Sequence, residues 1–290
     1  MRIGIELETL CDSSPTNGVG DYHDGNCVEE LPTISGSAWC AEHDGSLSPT
    51  EDEQGIEFVS PTFAFNESNI SKLFTSVTAI KNEFGARTNR SCGCHISVSL
   101  PELTPQQYRR LYFIGRLFQQ GMYACTGSIT RETGSYALPL RDIPYSGEDS
   151  INEGYFGNED RCSWLNCCNV RKHTKHTQHN SRCEYRVFSG TTDAMRVIAW
   201  SQLAVCLTEY AVNMNAPLPT LPIDRPKGVG EGRYNLDCLL ESIGWLDGTT
   251  QHWVTNPSLS LKDGVKVVQD LATVYDAKKY DGHRSNGGVL

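Results

Sequence analysis

The first ten residues restrict this chain more than any other stretch. In Arg2-Ile3-Gly4-Ile5-Glu6-Leu7-Glu8-Thr9-Leu10, apolar and acidic side chains alternate with the period of two that belongs to an extended strand. Ile3, Ile5 and Leu7 fall on one face, and Gly4, Glu6 and Glu8 on the other. The first face must cover a core, while the second holds two carboxylates roughly 7 Å apart. Such a pair repels itself unless one acid is protonated or a cation lies between them, so it points to a hard-metal site. Alone, the pattern also describes a solvated strand with two surface acids, and the choice rests on the other segments.

Three more segments repeat the pattern. In Gly55-Ile56-Glu57-Phe58-Val59-Ser60-Pro61, Glu57 shares a face with Val59, opposite Ile56 and Phe58. Between Cys92 and Leu100, His95, Ser97 and Ser99 point one way, and Cys94, Ile96, Val98 and Leu100 the other. In Cys183-Glu184-Tyr185-Arg186-Val187-Phe188, the alternation puts Glu184, Arg186 and Phe188 together, opposite Cys183, Tyr185 and Val187. The run from Ser37 to His43, followed by Asp44-Gly45-Ser46-Leu47, pairs with the Glu57 segment as a hairpin. These segments describe an α+β protein with an antiparallel sheet. One sheet face is apolar and covered by helices, and the other is lined by Glu6, Glu8, Glu57, His95 and Glu184. Carboxylates crowded on one face call for divalent cations, and oxygen ligands with one imidazole suit magnesium or manganese better than zinc. Arg186, beside Glu184, is the natural partner of a phosphate or a developing negative charge. With no Gly-x-x-x-x-Gly-Lys loop, phosphoryl chemistry here lies outside the P-loop class.

Helical periodicity covers 66–84, ended by Gly85, and runs from the Thr104-Pro105 start to about Gln120. Thr192-Asp193 caps an apolar helix over 194–214. The stretches 11–32 and 126–169 read as loop, the first of them a possible flap with Asp12, Asp21 and Asp24 as solvated turn residues. The His-rich basic segment 171–182 reads as a solvated excursion or a lid over phosphates. Pro217, Pro219, Pro222 and Pro226 mark a strap, followed by helices at about 236–243 and 259–275 and a tail over 281–290. The expected division is a catalytic domain over 1–215, with the strap and a helical appendage over 216–290 packed on it.

A net charge of −10 argues against nucleic acid as a partner. No apolar run is long enough to cross a bilayer, and no export signal follows Met1, so the expected location is the cytoplasm. The 12 cysteines are then reduced thiols. The cluster Cys162, Cys167, Cys168, His173, His176, His179 and Cys183 has a zinc-like composition but no clean ligand spacing. It leaves open a rival reading, a zinc- and nucleic-acid-binding module. Nothing in the sequence sets an oligomeric state.

Five segments in order, the one at Ile3–Glu8, Asp44–Leu47, Gly55–Pro61, Ser91–Val98 and Cys183–Asp193, make the chain similar to the amidoligases over about residues 2–212. These belong to the glutamine synthetase and glutamate–cysteine ligase superfamily. The resemblance implies a curved antiparallel sheet in the manner of a glutamine synthetase catalytic core, with ATP and metals on the concave face and helices on the convex one. It implies an ATP- and magnesium-dependent carboxylate–amine ligase that forms an amide or isopeptide bond through an acyl phosphate. The partners would be a carboxylate and an amine, each a small molecule, a peptide or a protein. By position, Glu6, Glu8, Glu57 and Glu184 match the metal-binding glutamates, and His95 a histidine serving a metal or the ATP phosphates. Arg186 matches the arginine facing the transferred phosphoryl, and Arg131, Arg161 and Asn166 match phosphate or substrate positions. Asp44 is a candidate to hold or deprotonate the amine, and is equally a turn aspartate before Gly45. The chain departs from the family in its Cys/His-rich insertion and in the appendage. A phosphotransferase on the same fold is the alternative reaction.

Overall fold

The computed structural model describes residues 1–100, 103–140, 161–167, 181–223, 225–250, 253–254 and 259–284. Strand β1 (Arg2–Cys11) buries Ile3, Ile5 and Leu7 and sits at the centre of an open eight-stranded sheet. In chain order the other strands are β2 (Asn26–Val28), β3 (Trp39–Glu42), β4 (Gln54–Val59), β5 (Phe63–Ala64), β6 (Gly93–Ser99), β7 (Leu165–Asn166) and β8 (Arg182–Ser189). They lie in the order β2-β3-β4-β1-β6-β8-β7, with β5 against the start of β1, and every pairing of these strands is antiparallel. Residues 26–28, part of the expected loop, thus join the sheet at its edge.

The helices are α1 (Glu67–Glu83), α2 (Pro105–Leu117), α3 (Gln119–Ala124), α4 (Thr130–Thr133), α5 (Ala194–Val212), α6 (Glu231–Ser242) and α7 (Leu261–Arg284). The Asn66 side chain caps α1 by accepting from Asn69 N–H, and Gly85, at φ +61°, follows its end. Asp193 caps α5 in the same way. α5 is buried nearly all round and closes the apolar sheet face: Trp200 stacks on Phe188 at 5.0 Å between ring centres, and Thr208 meets the Tyr185 hydroxyl at 2.7 Å. Across the sheet, Trp39 Nε1 donates to Ser76 of α1. No described helix is long and apolar enough to cross a membrane.

Other sequence expectations change as well, α4 and β7 lying within the expected loop 126–169. Phe188 leaves the face of Glu184 and Arg186, because the β6–β8 register shifts between Cys94 and Ile96. Cys94 opposes Phe188 while Ile96 opposes Tyr185, so two residues of β8, Arg186 and Val187, face the single His95. That bulge resets the alternation and turns Phe188 into the core. The helix expected to run from Thr104 to about Gln120 breaks at Phe118 into α2 and α3. Asn235 of α6 spans the break, accepting from Gly121 N–H at 2.7 Å and donating to the Leu117 carbonyl at 3.0 Å. A Cβ at position 121 would lie 2.6 Å from Leu236 N, so only glycine lets α6 approach this closely. Finally, the last helix extends through 281–284, the front of the expected tail, and 285–290 lie outside the described residues. Its Asp276 carboxylate accepts from Gly232 and Arg233 N–H, capping α6, whose own N-cap, Gly230, has no side chain to offer. The strap is pinned at the Pro217 carbonyl by Tyr210 and Arg110.

Asn235→Ala strands the buried Gly121 N–H and the half-buried Leu117 carbonyl at the α2–α3 break. The expected cost is about 2 kcal/mol, read as a lower urea midpoint at unchanged slope. An unshifted midpoint would show that water replaces both bonds.

Candidate functional site

Cross-strand register turns the alternation into a charged surface. Glu42, Glu57 and Glu8 stand directly opposite one another on β3, β4 and β1, each no more than 6% exposed. The next row is Val59, Glu6 and His95, and a third runs from Ser97 to Glu184 to Asn166. His95 is the hub. Its Nδ1 lies 3.2 Å from Glu6 Oε2 and 3.8 Å from Glu184 Oε1, and its Nε2 lies 3.5 Å from Glu8 Oε1, buried and without a hydrogen bond. Gly93 N–H donates to Glu8 Oε2. A Cβ there would meet His95 Nε2 at 2.9 Å and Arg131 Nη2 at 3.0 Å, so a glycine is what lets these groups converge over the backbone.

Arginines approach from the other side. Both Glu184 oxygens are engaged, Oε1 by Arg186 Nη1 and Oε2 by Asn166 Nδ2 at 2.8 Å. Arg131, only 6% exposed, donates through Nη2 to the Arg186 carbonyl, which the β-bulge leaves on offer. Arg161 reaches the Tyr22 hydroxyl at 3.1 Å, linking the flap to the cleft wall. The acidic part of the cleft, about 580 Å³, holds Glu6, Glu42, Glu57 and Glu184. A contiguous part of about 460 Å³ is walled by Ser46, Ser91, Arg131 and Tyr136.

Charge crowding shows in the titrations. Burial, and then the charges of Glu6, Glu8, Asp44 and Glu42, push the Glu57 carboxyl up to about 9. Burial acts upward on Glu6 too, but the His95 hydrogen bond and charge, with Arg186 and Arg182, hold it below the usual carboxylate range. Arg186 is raised: burial works against its charge, and Glu184 more than compensates. Arg131 is lowered, chiefly by burial and by Arg186, with Glu8 opposing.

Ligand atoms of Glu6, Glu57 and His95 lie within 4.8 Å of one another, as do those of Glu8, Asp44 and Glu57. Oxygen donors with one imidazole fit a hard divalent cation, and the unbonded His95 Nε2 and the raised Glu57 carboxyl mark a donor set that lacks positive charge. Of the expected metal set, Glu6, Glu8, Glu57 and His95 fall in these clusters, while Glu184 turns to Arg186 and Asn166. Asp44 is both the turn aspartate, accepting from Ser46 N–H at 2.7 Å, and a member of the second cluster. Sequence reasoning passed over Glu42, although its alternation with Trp39 and Ala41 carried the signal. It also passed over Tyr22, His23 and Arg182 as cleft residues. Cys183 belongs to the core, its thiol 3.8 Å from Thr208 and pushed up to about 12 by burial. Cys168, His173, His176 and His179 lie outside the described residues, and among the described residues no candidate metal group includes a cysteine.

A family model described as "Putative amidoligase enzyme" matches residues 2–208. No curated protein matches the chain. Among solved structures, the chain aligns with one from the crystal structure of the complex between the prokaryotic ubiquitin-like protein Pup and its ligase PafA, at 13% identity and a TM-score of 0.42. The alignment takes in 98% of this chain and spans 65% of that one.

The Glu57 shift has a sign that can be measured. Between the ordinary carboxylate value of 4.5 and about 9, the folded chain holds a proton that the unfolded chain has released. The folded state therefore loses stability as pH rises through that window. In a chelator, the melting temperature of the protein is expected to fall from pH 5 to pH 9 and that of Glu57→Gln to fall less. Magnesium at pH 8 should raise the first and not the second. Parallel profiles would show that Glu57 is ionised throughout.

Proposed function

Because the chain belongs to the amidoligase family, we propose that its cleft joins a carboxylate to an amine with cleavage of ATP to ADP and phosphate, through an acyl phosphate. The observation that carries this reading is the opposition across one cleft: in-register carboxylates Glu42, Glu57 and Glu8, with Glu6 and His95 beside them, face Arg186 and Arg131. One side suits divalent cations and the other a transferring phosphoryl group. Glu6, Glu57 and His95, with Glu8, would hold magnesium or manganese, which would supply positive charge against the ATP phosphates.

The remaining work falls to side chains. Arg186 is fixed by Glu184 and by the Tyr136 carbonyl, 3.3 Å from its Nε, and stabilises charge on the phosphoryl as the substrate carboxylate oxygen bonds to the γ-phosphorus and ADP leaves. Arg131 adds a second, desolvated positive charge, and Arg161 and Asn166 orient phosphate or substrate. The amine nitrogen then bonds to the acyl carbon, the carbon–oxygen bond to phosphate breaks, and Asp44 takes the amine proton. The substrates are thus a carboxylate and an amine, whether small molecules, peptides or proteins.

The test is to incubate the protein with ATP, magnesium and a panel of carboxylates and amines. Phosphate release that needs both is the expected result, with an amide product by mass. Glu6→Gln and Glu184→Gln should each lower the rate by about a thousandfold with the fold retained by circular dichroism. Full activity in both variants removes the site assignment, and a stable phosphorylated acceptor in place of an amide makes the enzyme a phosphotransferase.

A further inference from the structure

The family match ends at residue 208, but residues beyond it contact the turn next to Arg131. We propose that α7, the last helix, positions Arg131: Tyr275 and Lys279 hold Glu132, and Glu132 holds the turn that carries Arg131 into the cleft. The inference rests on the role given to Arg131 in the preceding reading.

Helix α4 is four residues long; its N-cap residue, Ile129, makes no side-chain cap, and local support is a Ser128 Oγ that accepts from Thr130 N–H at 3.3 Å. A helix this short has almost no stability of its own, so its placement must come from tertiary contacts. Its two central residues reach different neighbours. Arg131 points to the Arg186 carbonyl and the cleft, and Glu132 points to α7. The Glu132 carboxylate accepts from the Tyr275 hydroxyl, from Lys279 Nζ at 2.8 Å and from Gln120 Nε2 at 3.2 Å. Lys279 also donates to Gln120 Oε1 at 3.0 Å and lies 5.4 Å from the centre of the Tyr275 ring. Burial pushes Glu132 upward, but these bonds and the Lys279 charge outweigh it, so the carboxylate stays ionised. Tyr275 is fully buried and the network is closed on itself, unlike an exposed ion pair of little value. Ahead of the turn, Lys278 Nζ donates to the Gly127 carbonyl at 2.9 Å, giving α7 a second hold.

Arg131 needs such a hold. Its Nε is buried without a hydrogen bond, and its Nη2 bonds a carbonyl oxygen. Among the described residues no carboxylate forms an ion pair with it, so the backbone turn and the Arg186 carbonyl, rather than a salt bridge, set where its charge lies. A guanidinium displaced by an ångström loses most of its effect on a transferring group.

The experiment compares the full chain with Tyr275→Phe/Lys279→Met, with Arg131→Ala and with all three changes together. ATP-dependent phosphate release and backbone hydrogen exchange over 127–136 are followed in each. Tyr275→Phe/Lys279→Met should lower kcat by about tenfold with KM for ATP within about twofold, and should speed exchange over 127–136. In the Arg131→Ala background the same pair of changes should cost nothing more, because residues acting through one group are not additive. Lys279→Arg alone should keep most of kcat. An equal loss of rate with and without Arg131 overturns the proposal, as does unchanged exchange over 127–136. If the unmodified protein releases no phosphate with any substrate pair, the ligase reading fails. Exchange then decides the tether alone: faster exchange in Tyr275→Phe/Lys279→Met supports it, and unchanged exchange overturns it.

Discussion

Mutual repulsion among carboxylates is the constraint to which the rest of this structure answers. Sheet register sets the buried Glu42, Glu57 and Glu8 in one row and the half-buried Glu6 in the next. Free carboxylates arranged so closely would force the strands apart or change their protonation. The fold answers with a Glu57 carboxyl pushed up by burial and by its acidic neighbours, and with arginines at the margins. The apolar face beneath holds the strands where the charges would not. Trp200 on Phe188, Thr208 on Tyr185 and Ser76 on Trp39 tie that face to α1 and α5. Core packing thereby holds in place an arrangement that is electrostatically unfavourable until charge is supplied.

A single irregularity organises the positive side. The bulge in β8 puts Arg186 and Val187 across from His95, and it frees the Arg186 carbonyl to receive Arg131. One extra residue therefore aims one guanidinium and anchors another. The same device that disturbs the ladder brings two cations from distant parts of the chain to one wall.

Most of this was legible as alternation. Glu6, Glu8, Glu57, His95 and Glu184 each sit opposite apolar neighbours in their own segments, and period two is enough to put them on one face. Phe188 was misassigned for a physical reason: a bulge changes parity after Arg186, and its cost and benefit lie on β6, far away in the sequence. Glu42 was passed over because β3 is four residues long, too short for alternation to stand out. The α2–α3 break depends on Asn235, more than a hundred residues away, and no local propensity announces it. Helix α7 outlasts its apolar stripe because Tyr275, Asp276 and Lys279 are spent on polar partners, which periodicity of hydrophobic residues does not register.

The central position of β1 also has a kinetic meaning. His95 meets Glu6 across 89 positions of chain, and Gly93 meets Glu8 across 85. Long loops must close before these contacts return any energy, and chains dominated by such contacts fold slowly. Until β6 pairs with β1, Glu6 lacks His95 and Glu8 lacks the Gly93 N–H, so the acids of β1 are without these partners. The cleft is complete only with that long-range pairing, and a chain lacking it exposes charged acids on that face, a poor template for association with other chains.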